Sequence, residues 1–373
     1  MKKKIILFAL FLFISPSLYG LEKVNDNIRI GILVNVKNFN ISSKSGFSII
    51  DSQNKKIKYS KNVSVPMLFS AGKLSDRKNS MTFPVKIESE GDIAINGKNY
   101  HGYFLIIKNR NGKGVNVINI LDIEDYIKGV VPKESLPGWP IEALKVQSVI
   151  SRTYAIANLG KHSLDGFDLC DGTHCQVYGG ADAQTPVSDE AVKLTKGEVL
   201  THEGKLANTF FFSNSGGITE EAKYVWGGNE SPKYLKSVKD PYSKGQPNYS
   251  WESEISESFI RNKLKVGKIS SIQMRGKTPS GSVKNFLIKH SKGNKTIGAA
   301  QFRLIIDPNR IKSTLITSVK KSGGSFIFKG NGWGHRVGLS QWGAKAMSDK
   351  GMKYTRILKF YYPGTKIEKV KYK

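Results

Sequence analysis

Four stretches of this sequence collect residue types that do chemistry. The first is VVPKESLPGWP, residues 130–140, where one carboxylate, Glu134, stands between two prolines and directly before an expected helix. Prolines fix the backbone and lower the entropy lost on ordering, which suits an aimed general acid. A lone glutamate in that place serves equally as a charge near the positive end of a helix dipole. The second is CDGTHC, residues 170–175, which holds the only two cysteines of the chain. Cys170 and Cys175 either close a small loop as a disulfide or join His174 as zinc ligands, with His162 or water in fourth place. Spacing does not separate the two readings. The third, FFFSNSGGITEEAKYVWGG (210–228), sets Ser213 and Ser215 before Gly216-Gly217, a tight turn able to bring amides and hydroxyls to a ligand. It contains no G-x-S-x-G elbow, which argues against a serine hydrolase. The fourth, GNGWGHRVGLSQWGAKAM (330–347), packs glycines around Trp333, His335, Gln341 and Trp342. Tryptophan faces with His and Gln suit stacking on, and hydrogen bonding to, a sugar.

The elements that must position these groups are legible in outline. From Ile28 to about Arg110, IRIGILVNV, FSIID and TFPVKIE read as strands, and DIAINGKNY carries a hairpin signal at Asn96-Gly97. LDIEDYIKG then predicts a short helix entered at Asp122 and closed at Gly129. WPIEALKVQSVISRTYAIANLG predicts a long one, with Pro140 in its first turn and Gly160 just past its end. SDEAVKLTKG predicts a helix capped by Ser188, followed by a hairpin turning at Glu203-Gly204. Residues 250–330 read as strand and loop. LSQWGAKAMSDKG reads as a helix, and a last short helix stops at Pro363-Gly364. Strands and helices segregate rather than alternate, which predicts an α+β fold.

The N-terminus reads as a secretory leader, residues 1–20: Lys2, Lys3 and Lys4 precede an apolar run of ten, Ile5 to Ile14, too short to span a bilayer. The expected location is extracytoplasmic, in the periplasm, the envelope or outside the cell, with no membrane span after cleavage. Loss of those three lysines lowers the formal charge from +28 to +25. Such a charge suits an anionic polymer. Only ten of the 58 cationic residues are arginine, and bidentate base and phosphate readout favours arginine, so an exported chain of this kind is not expected to bind nucleic acid.

Read in order, NILDIEDYIKGVVPKE, WPIEALKVQSVISRTYA, FDLCDGTHCQVYGG, FFFSNSGGITEEAKYVWGG, YLKSVKDP, GNGWGHRVGLSQWGAKAM and ILKFYYPGT resemble the stage II sporulation protein D (SpoIID/LytB-like) family, from about Ile28 to the C-terminus. The resemblance implies a strand-rich N-terminal part, 21–110, packed as one unit with a catalytic region, 111–373, that has a helical segment, a mixed sheet and a long substrate cleft. It implies a peptidoglycan lytic transglycosylase acting on peptide-stripped glycan strands, with Glu134 of Pro132-Lys133-Glu134 as the catalytic residue. Arg152, Tyr178, Ser215, His335 and Gln341 match family motif positions and are expected to contact substrate. Some family members bind zinc at the position of Cys170, His174 and Cys175. The chain departs from the family at Ser135 and at Arg336, which is expected to alter the charge of the cleft. Another branch enhances wall amidases, so the alternative is a non-catalytic glycan binder with an amidase partner. A two-carboxylate muramidase is a third possibility, and would recruit a second acid from Glu124, Asp125 or Glu142.

Overall fold

The computed structural model describes residues 25–136 and 138–372; the expected leader and Pro137 lie outside them. The fold is α+β, and it divides into two compact units. One comprises residues up to Thr209 together with 351–355 and 366–372; the other comprises 210–350 and 356–365. The expected boundary at 110/111 falls within a sheet of the first unit, between the paired strands Tyr103–Lys108 and Val115–Asp122.

The first unit is built on a seven-stranded sheet. Its strands run in the order Leu169–Cys170, Asn27–Val36, Val115–Asp122, Tyr103–Lys108, Val85–Glu88, Phe47–Ile50, Lys56–Tyr59. Asn27–Val36 alternates buried Ile28 and Ile30 with exposed neighbours, as a half-buried strand must. Val115–Asp122 is covered on both faces, burying Asn116 and Asn119 among its valines, isoleucines and leucine. A six-stranded sheet lies beside it in sequence and holds the expected Asn96-Gly97 hairpin, both turn residues having positive φ.

Three helices follow. Helix α1 (Ile123–Glu134) is capped by Asp122, whose carboxylate accepts the amides of Glu124 at 2.7 Å and Asp125 at 3.3 Å. It does not close at Gly129. A Cβ there would lie 2.4 Å from the Tyr178 ring, so the glycine serves close packing rather than termination. Pro132 sits in the last turn, where its missing amide leaves one helix carbonyl without its usual donor. Glu134 is therefore the last residue of a helix, not a member of a turn that precedes one. Helix α2 (Ile141–Ala157) starts after Pro140, as expected. Helix α3 (Pro186–Leu194) is capped by Thr185, and Ser188, the expected cap, forms the other half of a capping box.

The second unit has two three-stranded antiparallel sheets: Ser250–Ser256, Ser325–Asn331, Ile316–Ser322, and Ile269–Lys277, Val283–His290, Gly293–Gly298. Its helices include α4 (Ala222–Trp226), α5 (Glu257–Leu264), α6 (Ala299–Ile306) and α7 (Gln341–Asp349). Helices α5 and α6 correct the strand-and-loop reading of 250–330. Each buries only two or three residues, a stripe too short to register as periodicity. They pack Ile260, Leu264, Phe302 and Ile306 into one core with Trp251, Phe286 and Phe328.

One ion pair holds the first unit's helices together. Arg152 of α2 is wholly buried and grips Glu124 of α1 through Nε at 2.9 Å and Nη2 at 2.7 Å. Its remaining donors reach the carbonyls of Glu198, Val192 and Ser148. Glu124 also accepts the Gly197 amide and the Tyr372 hydroxyl. Replacing Arg152 with alanine strands a buried carboxylate, and the expected loss is about 3–5 kcal/mol of unfolding free energy, measurable by urea titration of the purified protein; a loss under about 1 kcal/mol contradicts this role.

Candidate functional site

Glu134 sits half-buried at the C-terminal end of α1, the end that carries the dipole's partial negative charge. Its Oε1 accepts the backbone amide of Val177 at 2.8 Å. Burial pushes its pKa above the ordinary carboxylate value, and the Val177 amide offsets part of that rise. A carboxyl that keeps its proton to higher pH, and whose carboxylate is met by a backbone amide, has the properties of a general acid that can later act as a base.

The segment that supplies this amide begins at the CDGTHC stretch. Its first cysteine is fixed to the main sheet, where Gly31 pairs in parallel with Cys170 and Arg29 clamps Asp168 through Nη2 at 2.8 Å. The chain then turns through Cys175 N–H to Gly172 O, Tyr178 N–H to Asp171 O and Gly179 N–H to Gly129 O. That last bond returns it to α1. Val177 is thus delivered to Glu134 by a loop anchored at both ends. As a backbone donor on an apolar residue, it has no signature in the sequence.

Both cysteines are free thiols, so the disulfide alternative does not form. Cys170, Cys175, His162 and His174 instead converge, each offering one ligand atom within 4.8 Å of all the others. The S···N edges of this group include 3.4 Å from Cys175 Sγ to His162 Nε2, 3.5 Å from Cys175 Sγ to His174 Nδ1, and 3.8 Å from Cys170 Sγ to His174 Nδ1. A tetrahedral zinc with ordinary Zn–S and Zn–N bonds has S···N edges of about 3.6 Å. The donor set and its spacing fit zinc, and His162 takes the fourth place. The His162 ring is set by stacking on Phe167, with centroids 4.9 Å apart.

The residues expected to contact substrate fare differently. Arg152 is buried and all its donors turn inward onto Glu124 and three carbonyls, so it positions helices. Tyr178 is buried as well. Its ring packs under Gly129 and against Tyr126, and its hydroxyl reaches Asn119 at 3.3 Å. These two sit with Glu134 in the first unit. Ser215, His335 and Gln341 belong to the second.

Ser215 is buried, and its hydroxyl donates to Asp240 at 2.7 Å and lies 2.8 Å from the Ser243 hydroxyl. Its amide donates to Ser340, the cap of α7, and Gln341 is the first residue of that helix, half-buried. His335 packs against Trp226 and Phe212, with centroids 5.2 and 5.6 Å away. Its Nδ1 accepts the Val337 amide. Burial pushes its pKa down to about 4, so the imidazole is neutral at pH 7. Arg336 donates to the carbonyls of Ser215 and Ile218 and to the Ser282 hydroxyl; it is wholly buried, which corrects the expectation that it charges a cleft.

The possible second acids are all engaged. Glu124 holds Arg152, Asp125 pairs with Lys128 at 2.7 Å, and Glu142 pairs with Lys145 at 2.9 Å and accepts the Tyr354 amide. Among the described residues, no helix is long and apolar enough to cross a membrane.

Comparison with known proteins agrees with the motif order. A family model described as Stage II sporulation protein matches residues 111–202, and one described as a domain of unknown function (DUF8618) matches 235–338. Stage II sporulation protein D of Bacillus amyloliquefaciens is 32% identical over 265 residues, covering 66% of this chain and 74% of that protein. The amidase enhancer of Bacillus subtilis is 33% identical over 333 residues, covering 76% of this chain; the match spans 46% of the enhancer's own length. A Brachyspira hyodysenteriae protein described as uncharacterized is 35% identical over 289 residues, 76% of each chain.

Glu134 carries a stability consequence. Its folded pKa is raised, so the ionised form is the less well accommodated one. The wild type therefore loses stability relative to Glu134→Gln as pH rises from the unfolded carboxyl's pKa, about 4.3, through the folded one. The expected result is equal melting temperatures near pH 4 and a higher one for Glu134→Gln at pH 7, read by thermal melts across that range. A variant less stable at pH 7 contradicts the burial account.

Proposed function

The chain belongs to the stage II sporulation protein D family, and on that premise we propose that it is an exported peptidoglycan-remodelling lytic transglycosylase. The substrate is a glycan strand stripped of stem peptides, cut at the MurNAc–GlcNAc bond. Glu134 is the acid and the base of the reaction. As a carboxyl it gives its proton to the leaving glycosidic oxygen while the bond from that oxygen to the anomeric carbon breaks. As a carboxylate it then accepts the proton of the muramic sugar's own 6-hydroxyl, whose oxygen bonds to the same carbon. The product is a 1,6-anhydro end, and no water is consumed.

The observation that supports this reading is a half-buried carboxyl, raised in pKa and bonded to the Val177 amide. One such group suffices here, whereas hydrolysis with two acids needs a partner carboxyl. Glu124, Asp125 and Glu142, the acids nearest in sequence, are each committed elsewhere. A second reading is supported by the similarity to an amidase enhancer: a wall protein that grips glycan and stimulates an amidase, for which Glu134 is dispensable.

Zinc is the metal we assign to Cys170, His174, Cys175 and His162. A four-ligand site of this kind supplies folding energy and cross-links the chain rather than offering an open coordination position. Its place in the reading is to stiffen the 170–177 segment, whose Val177 amide holds Glu134.

Two measurements test the proposal. Mass spectrometry of stripped strands incubated with mature protein is expected to find 1,6-anhydro-muramic ends, and none with Glu134→Gln. Reducing ends mean hydrolysis and overturn the one-carboxylate mechanism. No cleavage, with amidase stimulation intact in Glu134→Gln, favours the enhancer. Separately, elemental analysis is expected to find about one zinc per chain, with its removal by chelator lowering the melting temperature by several degrees. Metal-free protein that melts like the native chain rules out a structural ion.

A further inference from the structure

The first unit carries a depression of about 380 Å³ lined by Lys98, Pro132, Lys133, Gly179, Asp182 and Ala183. It lies on the same helix end as Glu134, since Pro132 and Lys133 belong to the last turn of α1. It also lies on the same loop, since Gly179 follows two residues after the Val177 amide that holds Glu134. The proposed acid and this depression therefore share both of the segments that build them.

Its lining sets two lysines against one carboxylate. Neither Lys98 nor Lys133 forms an ion pair among the described residues; Lys98 donates one bond, to the Tyr178 carbonyl at 3.1 Å. The two ammonium groups are close enough to repel, and Lys98 is partly desolvated. Asp182, the one acid of the lining, already accepts the Asn99 amide at 2.9 Å and its Nδ2 at 2.8 Å. Asp171 also faces Lys98, beyond ion-pair distance. Asp171 and Asp182 attract the half-buried Lys98 while the exposed Lys133 repels it, and no carboxylate forms an ion pair with either lysine among the described residues, which leaves room for an anion between them.

The wall is also shaped to hold them there. A Cβ on Gly179 would meet Ala183 Cβ at 2.2 Å and Lys133 Cγ at 2.9 Å, so the absence of a side chain is what lets the Lys133 stem lie along the loop. Lys98 comes from the strand after the Asn96-Gly97 turn, and its place is set by the pairing of Lys98 with Ile95. Two separate elements thus present one ammonium each to one depression.

We propose that Lys98 and Lys133 form a carboxylate subsite of the glycan-binding surface, occupied by the lactyl carboxylate of a muramic acid that has lost its stem peptide. This rests on the peptidoglycan reading above and deepens it, assigning the choice of stripped strands to two residues. A stem peptide turns that carboxylate into a neutral amide and adds bulk, so the subsite rewards the stripped strand twice.

The test measures binding to the full mature chain carrying Glu134→Gln, so that strands stay whole. Three probes are compared: stripped strands, the same strands with lactyl carboxyls converted to primary amides, and strands with intact stem peptides. Stripped strands are expected to bind about tenfold more tightly than either of the others. Adding Lys98→Met or Lys133→Met is expected to erase that preference while leaving affinity for amidated strands unchanged, and Lys133→Arg is expected to keep it. The Lys133 variants break no described hydrogen bond, so they read the charge alone. A preference that survives both methionine variants, equal weakening of all three probes, or equal binding of stripped and peptide-bearing strands overturns the proposal. Native protein that cuts strands without this discrimination sinks the subsite and spares the transglycosylase. Discrimination without cutting does the reverse.

Discussion

A guanidinium buried in the first unit organises much of what surrounds it. Arg152 is a full charge in an apolar helix interface, a position that is tolerable only if every donor is met. All five N–H groups are met, two by Glu124 and three by backbone carbonyls. Because those acceptors come from α1, α2, the end of α3 and the strand Glu198–His202, satisfying one side chain fixes four elements at once. Glu124 extends the same network to the Gly197 amide and Tyr372. The C-terminal end of α1, and hence Glu134, is placed from there.

At that end the requirements of stability and chemistry diverge. A carboxylate is poorly placed at the negative end of a helix and worse placed when half-buried. The Val177 amide is turned toward it in compensation. That amide comes from a loop whose other end is the Cys/His cluster. The strained group is therefore held from both sides: a helix locked by an ion pair, and a loop tied to a sheet edge near a Cys/His cluster. Local destabilisation held in place by a stiff scaffold is what general acid catalysis asks of a carboxyl.

The second unit handles its buried polarity in another way. Asp240 collects Ser215 and Ser243, while Glu220 collects Thr278 and Ser280, so each buried carboxylate has neutral hydroxyl donors. Arg336 adopts a left-handed backbone, φ 67°, and spends its donors on Ser215, Ile218 and Ser282. The glycines on both sides of this network are there because chain passes chain: a Cβ on Gly332 would sit 2.7 Å from the Asn214 carbonyl. Ser215, a motif residue expected to contact substrate, and Arg336, expected to charge the cleft, both lie in the network that joins two loops.

Much was legible from residue order alone. The α+β class, the Asp122 cap, the long helix after Pro140, the Asn96-Gly97 and Glu203-Gly204 turns and the α7 helix follow from local periodicity and turn chemistry, which act within a few residues and need no partner. Family membership follows from long motifs in a fixed order. Glu134 and the metal-ligand types were visible too, since carboxylate and thiolate chemistry is written in the side chain. What only tertiary structure decided is where those groups face. Gly129 reads as a helix stop until the Tyr178 ring is seen against it. Arg152 and Tyr178 match motif positions in the sequence, and only the fold shows that both are buried. Spacing leaves disulfide and metal-ligand readings of CDGTHC open until the thiols are seen free and His162 and His174 beside them. The Val177 amide and the Lys98–Lys133 pair have no sequence signature, because an amide is the same on every residue and two lysines 35 positions apart become neighbours only when a strand and a helix end meet. Sequence carries the identity of a group; folding supplies its partners, and it is the partners that set burial, pKa and role.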